Sequence, residues 1–326
     1  MRKLLLNSTA IATMAALTAS VAVADVSISA ATEFKYKSRS SQVTASDGTT
    51  FATDSEIKFS FSNKTDSGLT IGYVVEMFSD GADSAIDESS MSISGGFGKI
   101  VLGQNDGVGD NFGIAEMDLI AEESNSNALS TSINTNSDII NLSSNKTQIA
   151  YFLPAMGGFT AGMSMYDSGT NVGKDSSEIG ARYTMDAGGN TVTLGAATGT
   201  TEAATTDTDS QNMGVKVVSG NLSFIISNGT YEAVDEDRST TGASVSYKMA
   251  NGITLGAYSV KSEDDLDLSE EYTAAGVEAQ YTVAAGLTAV ITVDDYDYKA
   301  PTVLDTGSSA VNDSGTTTSL TLKATF

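Results

Sequence analysis

The chain has no cysteine and no histidine, and its 17 basic residues are set against 41 acidic ones. Without cysteine there is no disulfide framework, so a chain of 326 residues must be stabilised by its own hydrogen bonding and burial. Without histidine, Ser-His-Asp and Cys-His catalysis and His-containing zinc sites are excluded, and the commonest general base at neutral pH is missing. Carboxylate pairs remain available, but nothing in their placement singles one out. The acidic runs at 206–209 and 262–271 lack the spaced ligand-and-glycine template of an EF-hand and read as loops kept soluble by charge. No enzymatic activity, metal or cofactor is expected.

Long apolar runs are the next absence. Beyond the N-terminal segment nothing approaches the roughly 18 to 20 apolar residues that a membrane helix needs. If the chain crosses a bilayer, it must do so as a closed barrel, the other structure that satisfies every backbone polar group in lipid. The N-terminus itself carries Arg2 and Lys3, an apolar stretch from Ile11 to Val23, and Ala22-Val23-Ala24 as a small-x-small site. That order of features predicts a secretory signal over residues 1–24, cut after Ala24. Removing it takes away two bases and no acids, so residues 25–326 carry 15 bases against 41 acids, or −26. Such a charge argues against a nucleic-acid partner, because phosphate binding needs a basic surface.

What the chain does have is period-two alternation. Val26, Ile28, Ala30, Thr32, Phe34 and Tyr36 fall on one face of the first segment, with Ser27, Ser29, Glu33, Lys35 and Lys37 on the other. The pattern recurs at Ile57, Phe59 and Phe61, at Leu69 to Met77, at Thr241 to Tyr247, and at Leu320, Leu322, Ala324 and Phe326. No helical period stands out. A turn followed by an alternating strand repeats from Gly68, Gly98, Gly158, Asn190, Gly220, Gly252 and Gly286. Spacings of about 30 residues make each repeat one β-hairpin, and the 60 residues between Gly98 and Gly158 leave room for an exceptional loop over 105–145.

Seven short turns, with an opening and a closing strand, predict sixteen strands, near 25–38, 55–63, 68–78, 88–95, 98–104, 146–153, 158–167, 177–185, 191–198, 210–218, 221–230, 239–249, 252–260, 272–282, 286–295 and 316–326. Short turns at one rim and long polar connections at the other, such as 39–54, 231–238 and 261–271, are what an outer-membrane barrel presents. Lys35, Lys37, Lys58, Lys99, Arg182, Lys216, Lys248 and Lys323 all fall on the face opposite the apolar residues, and the remaining bases lie beside turns and loops. Phe61, Tyr151, Phe159, Tyr183, Tyr247, Tyr281 and Phe326 fall near the short-turn ends, as an interfacial girdle requires. A soluble β-sandwich would also keep bases off its apolar face; which face meets water separates the two readings.

The export signal, the sixteen alternating strands, the segment Phe97-Gly-Lys-Ile-Val-Leu-Gly-Gln104 leading into the long loop, and the last strand Ser319-Leu-Thr-Leu-Lys-Ala-Thr-Phe326 resemble the general porins of Gram-negative bacteria, most closely those of the alphaproteobacteria. The resemblance implies an all-β, antiparallel transmembrane barrel over 25–326 with short periplasmic turns and long external loops. In that family the third long loop folds into the lumen and faces bases on the wall. It thus implies a constriction with Asp106, Asp110, Glu116, Asp118, Glu122 and Glu123 on one side and Lys35, Lys37, Lys58, Lys99, Arg182 and Lys323 on the other. It also implies a homotrimer in contact with outer-membrane lipid and lipopolysaccharide, with Phe326 part of the signal read by the barrel-assembly machinery. Two departures stand out: Gln104 where many relatives have Arg, and Asn111-Phe-Gly113 in place of the Pro-Glu-Phe-Gly-Gly stretch of enteric porins.

The function expected from these features is passive diffusion of ions and small hydrophilic solutes across the outer membrane, with a mild cation preference from the negative excess. A substrate-selective channel and a non-channel adhesive β-protein are the alternatives. No run of inward aromatics for a sugar track is apparent in the alternation.

Overall fold

The computed structural model describes residues 25–43, 47–78, 86–121, 137–138, 142, 145–167, 175–202, 206–234, 236–264, 266, 270–300 and 312–326. The predicted signal segment 1–24 lies outside them. Sixteen strands run in chain order: β1 (Asp25–Ser41), β2 (Gly48–Lys64), β3 (Thr70–Phe78), β4 (Ile86–Gly95), β5 (Gly98–Asn105), β6 (Lys146–Phe152), β7 (Phe159–Tyr166), β8 (Ser176–Asp186), β9 (Thr191–Thr201), β10 (Thr208–Ser219), β11 (Leu222–Ala233), β12 (Glu236–Lys248), β13 (Ile253–Asp264), β14 (Glu271–Ala284), β15 (Leu287–Lys299) and β16 (Asp313–Thr325). Each pairs antiparallel with its sequence neighbours, and β1 pairs with β16 to close the barrel. Both ends of the ladder meet at the short-turn rim, where Phe326 N–H donates to Ala30 O at 2.9 Å and Ala30 N–H donates to Phe326 O at 3.2 Å.

The apolar face of the alternation is the exposed one. Ile149, Ile226, Met165 and Val277 are 58–59% accessible on the outside. Glu33, Glu76, Glu178 and Glu278 are under a tenth accessible on the inside. A sandwich or a soluble barrel would bury the first set and expose the second. This inside-out distribution is stable only where the outer surface meets hydrocarbon, and sixteen strands leave a lumen wide enough for water.

Several strands are longer than the alternation predicts, chiefly at the long-loop rim, while β14 gains two residues at the short-turn end. Segments 39–54, 231–238 and 261–271 are expected to be loops, yet the ladder continues through Arg39↔Gly48, Glu232↔Asp237 and Lys261↔Thr273. Along β13 the reason is plain, since outward positions turn polar after Ala257, at Ser259, Lys261 and Glu263, while inward Val260, Ser262 and Asp264 stay buried. Above the membrane a strand needs no apolar face to keep its hydrogen bonds, so hydropathy stops marking it. The β11–β12 connection is consequently only two residues long, a tight hairpin at the rim expected to hold long loops.

Two single helical turns interrupt the long loop after β5, where no helix is expected: α1 (Gly109–Phe112) and a 3₁₀ turn at Glu116–Leu119. Each is one turn, too short to leave a period in the sequence.

Candidate functional site

The loop after β5 lies against the inner wall, and the wall's residue choice explains how it fits. Gly180, Gly195, Gly214 and Gly242 all occupy inward positions within strands, where glycine weakens a sheet unless another chain segment must come close. A Cβ on Gly180 would stand 2.6 Å from Phe112 Cβ, one on Gly195 2.6 Å from Phe112 O, and one on Gly214 2.5 Å from Ile114 O. On Gly242 it would strike the Glu116 carboxylate at 2.0 Å. Gly195 and Gly214 are register partners, and Gly180 faces Gly162 across the β7–β8 ladder. The missing side chains form a bed for the loop.

Two buried apolar clusters occur among the described residues, and each closes on a loop side chain. Phe112 packs with Val101, Val108, Ala150 and Ala197, beside Phe152. Met117 packs with Tyr258, Val260, Tyr272, Ala274, Tyr296 and Tyr298, with Ile120 beside them. Burying side chains of this size stabilises the docked loop by about 1.5–3 kcal/mol each. These inward tyrosines correct the expectation from the alternation. They are 5% accessible or less, and their hydroxyls are committed inside the wall, Tyr258 to Asp294 at 2.7 Å, Tyr296 to Asp313 at 2.8 Å and Tyr298 to Glu270 at 2.7 Å. They support the loop and offer no open track to a passing sugar.

Wall carboxylates then receive the loop's backbone. Glu178 accepts the N–H of Gly109 at 2.8 Å and of Leu142 at 3.1 Å, Glu278 accepts that of Ala121 at 2.9 Å, and Glu88 accepts that of Asp106 at 3.2 Å. Asn212 does both jobs, accepting from Ile114 N–H at 2.7 Å and donating to Ile114 O at 3.1 Å. Charge-assisted bonds of this kind are about twice as strong as neutral ones. None of Glu88, Glu178, Glu278 or Asn212 is among the residues singled out from sequence, although the parity that makes Arg182 inward makes Glu178 inward too.

The six acids that the resemblance assigns to one side of a constriction divide by environment. Asp110 and Asp118 are exposed. Asp106 is buried beside Glu88, and Glu116 is fully buried, accepting from Ser137 N–H at 3.2 Å and Ser227 Oγ at 3.1 Å, and also from Ser137 Oγ. Glu122 and Glu123 lie outside the described residues. The bases also divide. Arg182 donates through Nε to Phe112 O at 3.2 Å and through a terminal nitrogen to Gly113 O, so it props the underside of α1. Lys323 reaches Ala121 O at 2.5 Å and pairs with Glu33 at 3.0 Å. Lys58 pairs with its register partner Glu76, and the Lys99 ammonium sits 5.8 Å over the Phe152 ring. Lys35 and Lys37 are inward and half-buried on the external half of β1.

A family model described as Gram-negative porin matches residues 10–326. No curated protein matches the chain. Among solved structures, the anion-selective porin from Comamonas acidovorans superposes with a TM-score of 0.64 at 15% identity, over 93% of this chain and all of that one. A mutant of Rh. blastica porin gives a TM-score of 0.68 at 16% identity, over 92% of this chain and 100% of that one. The trimer form of OmpT from Vibrio cholerae gives 0.66 at 14% identity, over 93% and 99%. At these identities the structural likeness is one of fold, and the family match covers nearly the whole chain. With its closed sixteen-stranded barrel and inverted polarity, this chain belongs to the Gram-negative porin family and is an outer-membrane porin.

Proposed function

We propose that the barrel is a passive channel, with no catalytic role, through which ions and small hydrophilic solutes diffuse past a constriction made by the 105–145 loop. The observation that supports this reading is the loop's double attachment to the inner wall, by the glycine bed under Phe112 and Ile114 and by the carboxylates that hold its backbone. A segment pinned in this way narrows a lumen without sealing it. Asp110 and Asp118 supply the loop's water-facing charge opposite Lys35, Lys37, Lys58 and Lys99, with Glu122 and Glu123, outside the described residues, assigned to the same side by the family resemblance, while Arg182 and Lys323 hold the loop from beneath. A transverse field of this kind sorts solutes by charge as well as by size, and the excess of acids gives a mild cation preference.

In the same reading residues 1–24 are a cleaved export signal, and the assembled protein is a homotrimer, the form in which OmpT is described. Its apolar belt meets outer-membrane lipid and lipopolysaccharide, and Phe326, outward and 65% accessible, belongs to the surface read by the barrel-assembly machinery. Single-channel recording of refolded protein in a planar bilayer tests the proposal. Conductance steps in groups of three and a reversal potential favouring cations are expected. A protein that folds but never conducts overturns the channel, and a reversal potential favouring anions overturns the selectivity.

A further inference from the structure

The inward acids keep away from the short-turn end of the wall, whereas inward bases occur at every level, Lys58 seventh, Lys35 eleventh and Lys37 thirteenth from that end. Counting from the short-turn end of each strand, Lys99 is the second residue of β5, Lys323 the third from the end of β16, Lys216 the fourth from the end of β10 and Arg182 the fifth from the end of β8, with Lys248 closing β12. The inward acids begin only higher up. Glu76 and Glu278 stand seventh from that end, Glu88 and Asp294 eighth, and Glu33, Glu56 and Glu178 ninth. Every short turn lies among the described residues, and the acids at that end, Asp25, Asp66 and Asp186, sit at the rim itself, where Lys64 and Lys248 also end their strands.

Accessibility is sorted the same way. All seven acids of the upper belt are under a tenth accessible, and Glu33, Glu76, Glu88, Glu178, Glu278 and Asp294 are spent on lysines, loop amides or a tyrosine hydroxyl. Lys99 and Lys248 are exposed, Arg182 and Lys216 half so, and no carboxylate among the described residues pairs with Lys99, Lys216 or Lys248. Lys323 is the exception, being the register partner of Glu33 and paired with it at 3.0 Å; the other low bases lie about four residues from the acids along tilted strands, on the order of 10 Å, which is about one Debye length at 0.1 M salt.

We infer that the vestibule on the short-turn side of the loop is electropositive in an otherwise strongly acidic protein, and that it concentrates small inorganic and organic anions there. The pore is therefore charged differently at its two mouths, and net charge misstates what a solute meets from the periplasmic side. The inference rests on the porin reading only in taking the lumen to be filled with water.

Thr193 is the probe position, because it is inward, half-exposed and the register partner of Lys216, and the chain has no native thiol. In Thr193→Cys, refolded in neutral detergent, the rates of reaction with an anionic sulfonatoethyl and a cationic trimethylammonium-ethyl methanethiosulfonate are measured by mass spectrometry and normalised to a free thiol. The anionic reagent is expected to be favoured by about fivefold or more, the ratio for reagents two charge units apart in a potential of about kT. Lys216→Gln should bring that ratio toward one, Lys216→Arg should keep it, and about 1 M salt should flatten it as the Debye length falls to about 3 Å. Thr206→Cys, exposed beside Asp207 at the opposite rim, should favour the cationic reagent. If Lys216→Gln does not refold, Lys248→Gln at the exposed end of β12 takes its place. A ratio at or below one at Thr193→Cys, or one indifferent to the loss of lysine, overturns the inference. Conductance in potassium chloride is measured separately, so failure of the channel itself is told apart.

Discussion

The loop inside the barrel rests on two beds built in opposite ways. Beneath α1 the wall of β7–β10 has given up its side chains, and the fit is steric, with Phe112 and Ile114 lying where glycine Cβ atoms would be. Beneath the 3₁₀ turn the wall of β11–β15 is crowded with tyrosines and acids, and the fit is made of directed bonds and one apolar knob, Met117. The first bed is intolerant of any added atom, and the bonds from Glu178, Arg182 and Asn212 lie round its edge. Away from Gly229 and Gly242, which lie as close under Ser137 and Glu116, the second tolerates a change of shape but suffers when a donor loses its acceptor.

The largest effect is expected from filling the first bed. Gly195→Leu places a branched side chain where Phe112 O already stands 2.6 Å from the Cβ position and Ile114 Cγ1 2.7 Å. Overpacking of this kind costs about 1–3 kcal/mol, and the loop, held by fewer bonds than the barrel, is what yields. Single-channel conductance should rise and liposome swelling should extend to larger sugars. Unchanged conductance in a folded Gly195→Leu barrel would mean that the loop does not set the bore.

Glu116→Ala breaks the second bed at its most buried point. It strands the Ser137 amide and leaves the Ser137 and Ser227 hydroxyls only each other as partners, at about 1–3 kcal/mol for a buried group left without its acceptor. Chemical denaturation should find a loss in that range, and Glu116→Gln, which keeps one acceptor, should lose less. Equal losses in the two variants would show that shape, not bonding, governs this side as well. Smaller again is Glu278→Gln, which weakens one charge-assisted bond to Ala121 N–H by about 1 kcal/mol. Its mark should be faster hydrogen exchange at Ala121, with the barrel's thermal midpoint nearly unmoved.

Much of this architecture is legible in the residues, and the limits have physical causes. Outward apolar positions such as Ile57, Phe59 and Phe61 announce strands because lipid demands them, so facing emerges from period two, and strand number from the repeated short turns between such segments. Strand ends fade where lipid ends, as at Ser259, Lys261 and Glu263 on β13. The loop's attachments are harder to read, because Glu178 and Glu278 look like any inward acid until the amides they hold are placed opposite them. The same is true of Glu116, which the family resemblance groups with water-facing acids and the fold encloses completely. The glycine bed was readable: Gly180, Gly195, Gly214 and Gly242 recur at inward, mid-strand positions where nothing about a turn requires them, and a glycine there signals a close neighbour.

The least disturbing change should be Met117→Leu, and it is informative because it is small. Met117 fills the space among Tyr258, Tyr272, Tyr296 and Tyr298 through contact alone, without a bond of its own to the wall. Exchanging one unbranched chain for a branched one of similar volume usually costs less than about 1.5 kcal/mol. Gly214→Ala adds only a methyl group, yet that methyl would lie 2.5 Å from Ile114 O, a backbone atom that cannot rotate away. The alanine should therefore destabilise the loop more than the leucine does, read as a larger drop in the midpoint of loop proteolysis against denaturant. If the order were reversed, the tyrosine side would be the rigid bed and the glycine side the adaptable one.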